Sequence, residues 1–244
     1  MNKVRFITFK WRDKVLFILK LPGKDMRIGI VGAGFIGQAF ARLAIAAGHD
    51  VMISNSRGPQ TLSSIPAKIG AQIGTVHETI GFGDIILIAI PFHQYATLPV
   101  EPLRDKIVLD ANNYYPDRDG AIPELDERRA TTSGLLAQHL TGSRLVKAFN
   151  AILASDLEKG GQTLPSGARR ALPIAGDDDA AKEIVASLMR KFGFDVVDAG
   201  PLAESWRFER AKPAYCLPYD QEGLRQALDE AQRDIDMPEG SWRR

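Results

Sequence analysis

The apolar and polar positions along the chain set out one strand–helix–strand unit, then a series of short buried strands. Residues 27–31, in "MRIGIVGAG", form a β-rich run suited to a strand covered on both faces. From Phe35 to Ala47 apolar residues recur at helical spacing, with Ile36, Phe40, Leu43 and Ala47 on one face, and Gly48 is placed to end the helix. "DVMIS" then predicts a second strand. "DIILIAIP" (84–91), "KIVLDANN" (106–113), "SRLVKAFN" (143–150), "RALPIAGDD" (170–178) and "FDVVDAGP" (194–201) read as further strands. A helix is predicted over about 179–192, with Ile184, Val185, Leu188 and Phe192 at helical spacing. Such alternation predicts an α/β fold, a doubly wound and mostly parallel sheet with a small C-terminal portion.

Beyond Cys216 the chain turns polar. Residues 220–236 suit a solvated helix whose stripe of Leu224, Leu228, Ala231 and Ile235 docks on the body or on a partner subunit. The first 25 residues stand apart. "VLFILKL" (15–21) follows basic residues, but Lys20 interrupts it and no small-residue cleavage site comes after, so it is not a signal-peptide core. It reads either as a hairpin, turning near Arg12-Asp13-Lys14 and added to a sheet edge, or as an extension upstream of a start at Met26, which is preferred. The expected organisation is an extension (1–25), a nucleotide-binding domain (26–150), a C-terminal α/β portion (151–216) and a polar tail (217–244).

Between the first strand and its helix lies Gly32-Ala33-Gly34-Phe35-Ile36-Gly37, a G-x-G-x-x-G run. Gly32 permits the tight turn, Gly34 lets backbone approach a pyrophosphate, and Gly37 lets helix and strand pack closely. The helix start offers free N–H groups and a positive dipole end to phosphates. Alone the run is weak, but here it sits between a strand and a helix with a second strand at the right distance, the context of a Rossmann-type dinucleotide site.

An NAD site should show an Asp or Glu at the end of that second strand, some 20 residues on. Asp50 lies at the wrong end, and "ISNSRGPQ" (53–60) offers Ser54, Asn55, Ser56 and Arg57 instead. A carboxylate there would repel a 2′-phosphate, whereas hydroxyls and a guanidinium bind it. The plain alternative is a polar turn, since Asn, Ser, Gly and Pro are turn residues. The missing acid and the present Arg favour NADP(H) as cofactor.

The other strand ends should face one crevice: Pro91 to Gln94, Asn112 to Tyr115, and Ala148 to Asn150. Asn112 and Asn113 serve either a site or a turn, and Tyr114-Tyr115-Pro116 either present flat surfaces to a ring or cap the core. Tyr-x-x-x-Lys is absent, and Lys147 and Asn150 stand three apart on a strand and its end rather than four apart on a helix. His93 is the best placed titratable group, a weak catalytic candidate. A chain with a nucleotide site and no acid/base pair suits hydride transfer between two redox cofactors, which needs orientation and exclusion of water rather than a dedicated base.

Composition narrows the partners. The net charge is +1, and seven Lys/Arg fall within residues 1–25, leaving 24 basic and 28 acidic residues for the body. The body shows no basic stripe, so nucleic acid is not expected. One cysteine and four scattered histidines give no metal spacing, no run reaches transmembrane length, and a cytoplasmic protein is expected.

"IGIVGAGFIGQAFARLAIAAGHDVMISNSRGP", "LIAIPF", "DANNYYPDRDG", "VKAFN", "LPIAGDD" and "GFDVVDAGPLAESWRF" together resemble the NADPH-dependent reductases of the deazaflavin coenzyme F420, from about Met26 to Cys216. The resemblance implies a Rossmann domain plus a small C-terminal portion, a homodimer, a small-molecule redox substrate, and direct hydride transfer between nicotinamide and deazaflavin. It implies a pyrophosphate loop of Gly34, Phe35, Ile36 and Gly37, and a 2′-phosphate site of Ser56 and Arg57. Ile90, Pro91, Gln94 and Ala148 would lie along the nucleotide, and Asn112 and Asn150 would border the deazaflavin. Metalloreductase domains that pass electrons to flavin share the fold, so a flavin is the alternative acceptor. An imine or pyrroline-carboxylate-type reductase and a non-enzymatic NADP-sensing module are the other readings. Residues 1–25 and the tail after Cys216 depart from the family pattern.

Overall fold

The computed structural model describes residues 26–242 and, before them, the backbone of two short strands, β1 (Ile7–Trp11) and β2 (Lys14–Ile18). These two pair antiparallel, with Trp11 opposite Lys14. The hairpin reading of this segment therefore holds in part. It forms a two-stranded sheet of its own, and among the described residues it joins no edge of the main sheet. The rest of residues 1–25, and the question of a start at Met26, lie outside the described residues.

From Met26 the chain alternates as its pattern predicts. β3 (Arg27–Val31), α1 (Phe35–Ala46), β4 (Asp50–Ser54), a short α2 (Ile65–Ile69), β5 (Gln72–Ile73), α3 (Val76–Phe82) and β6 (Ile85–Ile88) come first. β7 (Ile107–Asp110), the one-turn helices α4 (Pro116–Asp119) and α5 (Pro123–Asp126), α6 (Thr132–His139), β8 (Arg144–Lys147) and α7 (Ala154–Leu157) follow. β9 (Ala171–Gly176), α8 (Asp179–Lys191), β10 (Asp195–Asp198) and α9 (Gln221–Asp229) end the series.

The eight strands β3 to β10 lie in the order β10-β9-β8-β7-β6-β3-β4-β5. The run β5-β4-β3-β6-β7-β8 is parallel throughout and has the order of a doubly wound dinucleotide-binding sheet. β9 pairs antiparallel with β8, so β9 and β10 run against the rest. The link from β8 to β9, residues 148–170, carries the four-residue α7 in place of a long crossover helix.

Strand alternation divides the core between the two faces of the sheet. Ile28, Ile30, Ile85, Leu87, Ile107 and Leu109 face one cluster, with α1 and α8. Val31, Ile86, Ile88 and Val108 face the other, with Ile80 of α3 and Leu136 of α6. A third cluster joins Ala171, Ala175 and Val197 of β9 and β10 to Leu224 and Leu228 of α9, with Phe208, Tyr215 and Trp242.

Two helix faces differ from expectation. In α1 the buried set is Gly37, Ala39, Phe40, Ala41 and Ala44, because Phe40 packs edge-on against Phe149 and Phe192 at ring distances of 5.0 and 5.3 Å. Ile36, Leu43 and Ala47 are only partly buried. In α8 Val185 and Leu188 are buried as expected, with Phe192 just past its end, but Ile184 is exposed. The tail helix ends at Asp229 rather than reaching 236. Leu224 and Leu228 stay on its buried face, whereas Ala231 is buried beyond it and Ile235 is 57% exposed.

Candidate active site

The carboxyl ends of β3, β4 and β6 open on one cleft of about 590 Å³. Gly32, Gly34, Asn55, Ser56, Arg57, Ile90, Pro91 and Gln94, all marked out by the sequence, line it together. The three loop glycines differ in what they do. Gly32 has φ +119°, and a Cβ there would sit 2.1 Å from the Ala89 carbonyl oxygen. At Gly37 a Cβ would fall 1.9 Å from the Gly32 carbonyl oxygen, so no other residue allows this helix–loop contact. Gly34 instead faces open space. The first turn of α1 carries neither an acidic residue nor a side-chain cap. Its unused N–H groups beside an open glycine fit a diphosphate. Phe35, the first residue of α1, is 87% exposed, and Ile36 is partly buried. Neither side chain lines the cleft.

The end of β4 separates into structural and available groups. Ser54 is fully buried, and its hydroxyl donates to the Ile30 carbonyl at 3.3 Å. Asn55 builds the loop. Its Oδ1 accepts the Arg57 N–H at 3.0 Å and its Nδ2 donates to Thr61 Oγ1 at 2.9 Å. Thr61 in turn donates to the Gly58 carbonyl at 2.8 Å. Ser56 and Arg57 are exposed on this braced loop. Among the described residues the Arg57 side chain has no ion pair or hydrogen bond, and no carboxylate lines the cleft. Val76 and His77, not marked out by the sequence, line it near these residues. They follow the short edge strand β5, which sequence patterning passed over.

The remaining marked residues lie at the ends of β7 and β8. Asn112 is buried, and its Oδ1 accepts the Ile90 N–H at 2.8 Å, which ties β7 to the cleft wall. Ala148, expected along the nucleotide, is instead fully buried in the core and does not line the cleft. The next residue, Phe149, takes a left-handed backbone with φ +61°, an uncommon state for a non-glycine that its buried ring contact with Phe40 holds in place. Asn150 then donates through Nδ2 to the Phe208 carbonyl at 2.9 Å and to Asn113 Oδ1 at 3.2 Å.

Beneath these residues is a network that the sequence did not announce. Lys147 and Asp110 are both fully buried, with Nζ 3.1 Å from Oδ2. Nζ also donates to the Asn112 carbonyl at 2.5 Å and to Thr132 Oγ1 at 2.9 Å, so all three donors are used. Asp110 further accepts the Ser133 hydroxyl at 2.6 Å and the Asn112 N–H at 2.9 Å. Thr132 passes its own hydrogen to Glu209 at 2.6 Å. Lys147 and Asp110 stand opposite each other on neighbouring strands. A linear pattern of apolar strands gave no sign of that pairing.

His93 does not line the cleft. Its Nδ1 lies 2.9 Å from Asp119 Oδ1, a carboxylate with no exposed side-chain area. Burial alone would raise the Asp119 carboxyl, but hydrogen bonds from Arg118, His93 and the Tyr115 N–H more than reverse this and hold it at about 2. Tyr114 donates to the Gly120 carbonyl at 2.9 Å, and Tyr115 shares a 2.6 Å hydrogen bond with buried Tyr215. The first contact closes the 114–126 segment on itself, and the second ties it to the body.

Among the described residues no helix is long and apolar enough to cross a membrane, and no three His, Cys, Asp or Glu stand close enough to hold a metal.

Fold and site together define a class, a Rossmann-type NADP-dependent oxidoreductase. Residues 27–114 match the family described as "NADP oxidoreductase coenzyme F420-dependent", and the resemblance read from the sequence holds over that segment. A protein of Sinorhizobium meliloti, SMa0349, has a crystal structure similar to this chain at TM-score 0.68 and 28% identity, over 81% of this chain and 96% of that one. An Arthrobacter sp. FB24 protein, provisionally described as an F420-dependent NADP-reductase, shares the fold at TM-score 0.61 and 22% identity, over 72% and 85% of the two chains. Metalloreductase STEAP3 of Rattus norvegicus is 28% identical over 203 residues, 82% of this chain and 39% of that protein. The chain spans well under half the length of the curated relatives it matches, between 36% and 43%.

Proposed function

We propose that this chain transfers hydride between NADP(H) and a deazaflavin such as coenzyme F420, or a flavin-type acceptor. The observation that carries the reading is one cleft that joins Gly32 and Gly34, Ser56, an Arg57 without a partner among the described residues, and Ile90 and Gln94. Bound there, NADPH supplies hydride from C4 of its nicotinamide ring. Gly34 and the first N–H groups of α1 hold the diphosphate, and Ser56 and Arg57 hold the 2′-phosphate. Ile90, Pro91 and Gln94 fix the nicotinamide end, with Asn112 and Asn150 toward the acceptor. The two electrons arrive with the hydride at the acceptor ring, whose ring nitrogen takes its proton from water. No side chain has to act as a base, which agrees with the engagement of His93 by Asp119.

The similarity to a metalloreductase supports a flavin as the second reading. The family resemblance supports a homodimer, and light scattering of the purified chain tests that assembly. The deciding experiment follows NADPH oxidation with coenzyme F420, FMN, FAD, a ferric chelate and a cyclic imine as separate acceptors. Turnover with F420 or a flavin is expected. Turnover with the imine alone, or with none of the five, overturns the proposal.

A further inference from the structure

Of the four histidines, three are held by protein groups. His49 accepts the Met26 N–H at 3.1 Å through Nδ1, His93 meets Asp119, and His139 Nε2 lies 2.8 Å from the Leu98 carbonyl oxygen. His77 is exposed, and its ring has no hydrogen bond or ion pair among the described residues. It lines the cleft at the ends of β3, β4 and β6. Among the residues that line this cleft, Arg57 and His77 are the two whose side chains can carry charge.

The fold brings His77 to the Arg57 end of the cleft. β5 runs parallel to β4 with Ile73 opposite Ile53, and the Gly74 N–H donates to the Ile53 carbonyl at 3.2 Å. From that paired position each chain runs four residues further, one to His77 and the other to Arg57. Thr75 starts α3 with a capping box. Its Oγ1 accepts the Glu78 N–H at 3.2 Å, and Glu78 accepts the Thr75 N–H and hydroxyl, both at 2.8 Å. This fixes the turn that carries Val76 and His77. Leu62 and Val76, from the same two segments, add apolar wall.

A phosphate monoester carries between one and two negative charges near neutral pH. One guanidinium balances only part of that. We propose that His77 is the second cation of this site, its protonated ring pairing with the 2′-phosphate that Arg57 holds, so that the preference for NADP(H) over NAD(H) weakens as pH rises and the ring loses its proton. The inference rests on the 2′-phosphate reading above and adds a residue to it. Arg57 repels the protonated ring, and a phosphate dianion outweighs that repulsion. Glu78 is turned to its cap, where the N–H and hydroxyl of Thr75 hold its carboxyl below the ordinary range, and as an anion beside the ring it favours the protonated form. The elements packed on α3 bring no other charge to the cleft. Arg27 of β3, paired with Asp84, and Asp50 of β4 stand at the starts of their strands, Glu101 is paired with Arg104, and Lys106 donates to the Gly83 carbonyl past the end of α3.

Adenosine 2′,5′-bisphosphate and 5′-AMP, which differ only in the 2′-phosphate, test this. In ¹⁵N-histidine-labelled protein, with His77 assigned by the loss of its signals in His77→Gln, the ring should titrate about one pH unit higher with the bisphosphate bound than with 5′-AMP. In calorimetry at about pH 6.5, His77→Gln should weaken bisphosphate binding about threefold to tenfold and leave 5′-AMP unchanged, with a smaller loss at about pH 8.5. His77→Lys should keep tight binding at both. If the ring titrates alike with the two ligands, or His77→Gln weakens both equally, the ring does no more than stack on adenine and the proposal is overturned, with the tighter binding of the bisphosphate left intact. If the unaltered chain binds the bisphosphate no more tightly than 5′-AMP, the underlying 2′-phosphate reading falls instead.

Discussion

Arg57 and Lys147 are two cations at the same edge of the sheet with opposite fates. Arg57 stands exposed on a loop that Asn55 and Thr61 brace, and no protein group claims its guanidinium among the described residues. Lys147 is sealed, and its three donors are spent on Asp110, Asn112 and Thr132. On the proposed function, the difference separates a charge kept for a ligand from a charge kept for the fold. An exposed guanidinium loses little by waiting in water, whereas a buried ammonium must be paired at every donor. Removing the first should cost binding and spare stability, and removing the second should do the reverse.

The largest effect is expected at the sealed cation. Lys147→Met leaves Asp110 buried and unpaired, and should lower unfolding stability by about 3–5 kcal/mol in urea titration. Adding Asp110→Leu should recover most of that loss. If the double variant is no more stable than the single one, the pair is not what the network depends on. Next comes the glycine loop, where the same substitution should act in two ways. Gly37→Ala forces a Cβ against the Gly32 carbonyl and should cost at least about 1–3 kcal/mol of stability. Gly34→Ala should leave the melting temperature unchanged and weaken NADP⁺ binding, because its Cβ enters open space that the diphosphate needs.

At the open cation, Arg57→Ala should weaken NADPH binding about tenfold to a hundredfold, with NADH binding and the melting temperature unchanged. Equal losses for both nucleotides would remove the 2′-phosphate assignment. The smallest effect concerns acid. The Asp119 carboxyl is depressed from its ordinary 3.8 to about 2, so its stabilising contribution is complete above about pH 4 and fades as pH falls toward 2. Arg118→Ala removes hydrogen bonds to the charged form, so the acid-dependent loss should be smaller and should be complete at a higher pH, its onset near pH 4 unchanged, in thermal melts between pH 2 and 5.

Legibility in the sequence followed the range of the interaction. The Gly32–Gly37 run, the missing acid after β4 and the strand–helix alternation are local, and each is borne by residues within one element or its neighbour. The face of α1 was read from periodicity as Ile36, Leu43 and Ala47 around Phe40, yet packing against Phe149 and Phe192 turned it toward Gly37, Ala41 and Ala44. The stripe 220–236 had the right period for one helix, but the chain leaves it at Asp229. Lys212 then holds this tail, donating to the carbonyls of Gln232, Arg233 and Ile235. His93 was legible as a residue near a strand end, while its partner Asp119, 26 residues on, was not.

By itself the sequence determined the doubly wound class, and it marked out the residues of the proposed phosphate loop and 2′-phosphate site, because turn glycines, helix starts and the charge at a strand end act over a few residues. Only the tertiary structure decided that β9 and β10 run antiparallel to the rest, that Asn55 braces the loop that presents Ser56 and Arg57, and that Lys147 is locked to Asp110. Among the described residues, it alone left one donor on Asn112 and one acceptor on Asn150 without a hydrogen-bond partner. The physical reason is the same in each case. A hydrogen bond between strands, or a buried charge pair, joins residues tens of positions apart, and whether a polar atom is spent or spare depends on which partners the fold brings within reach.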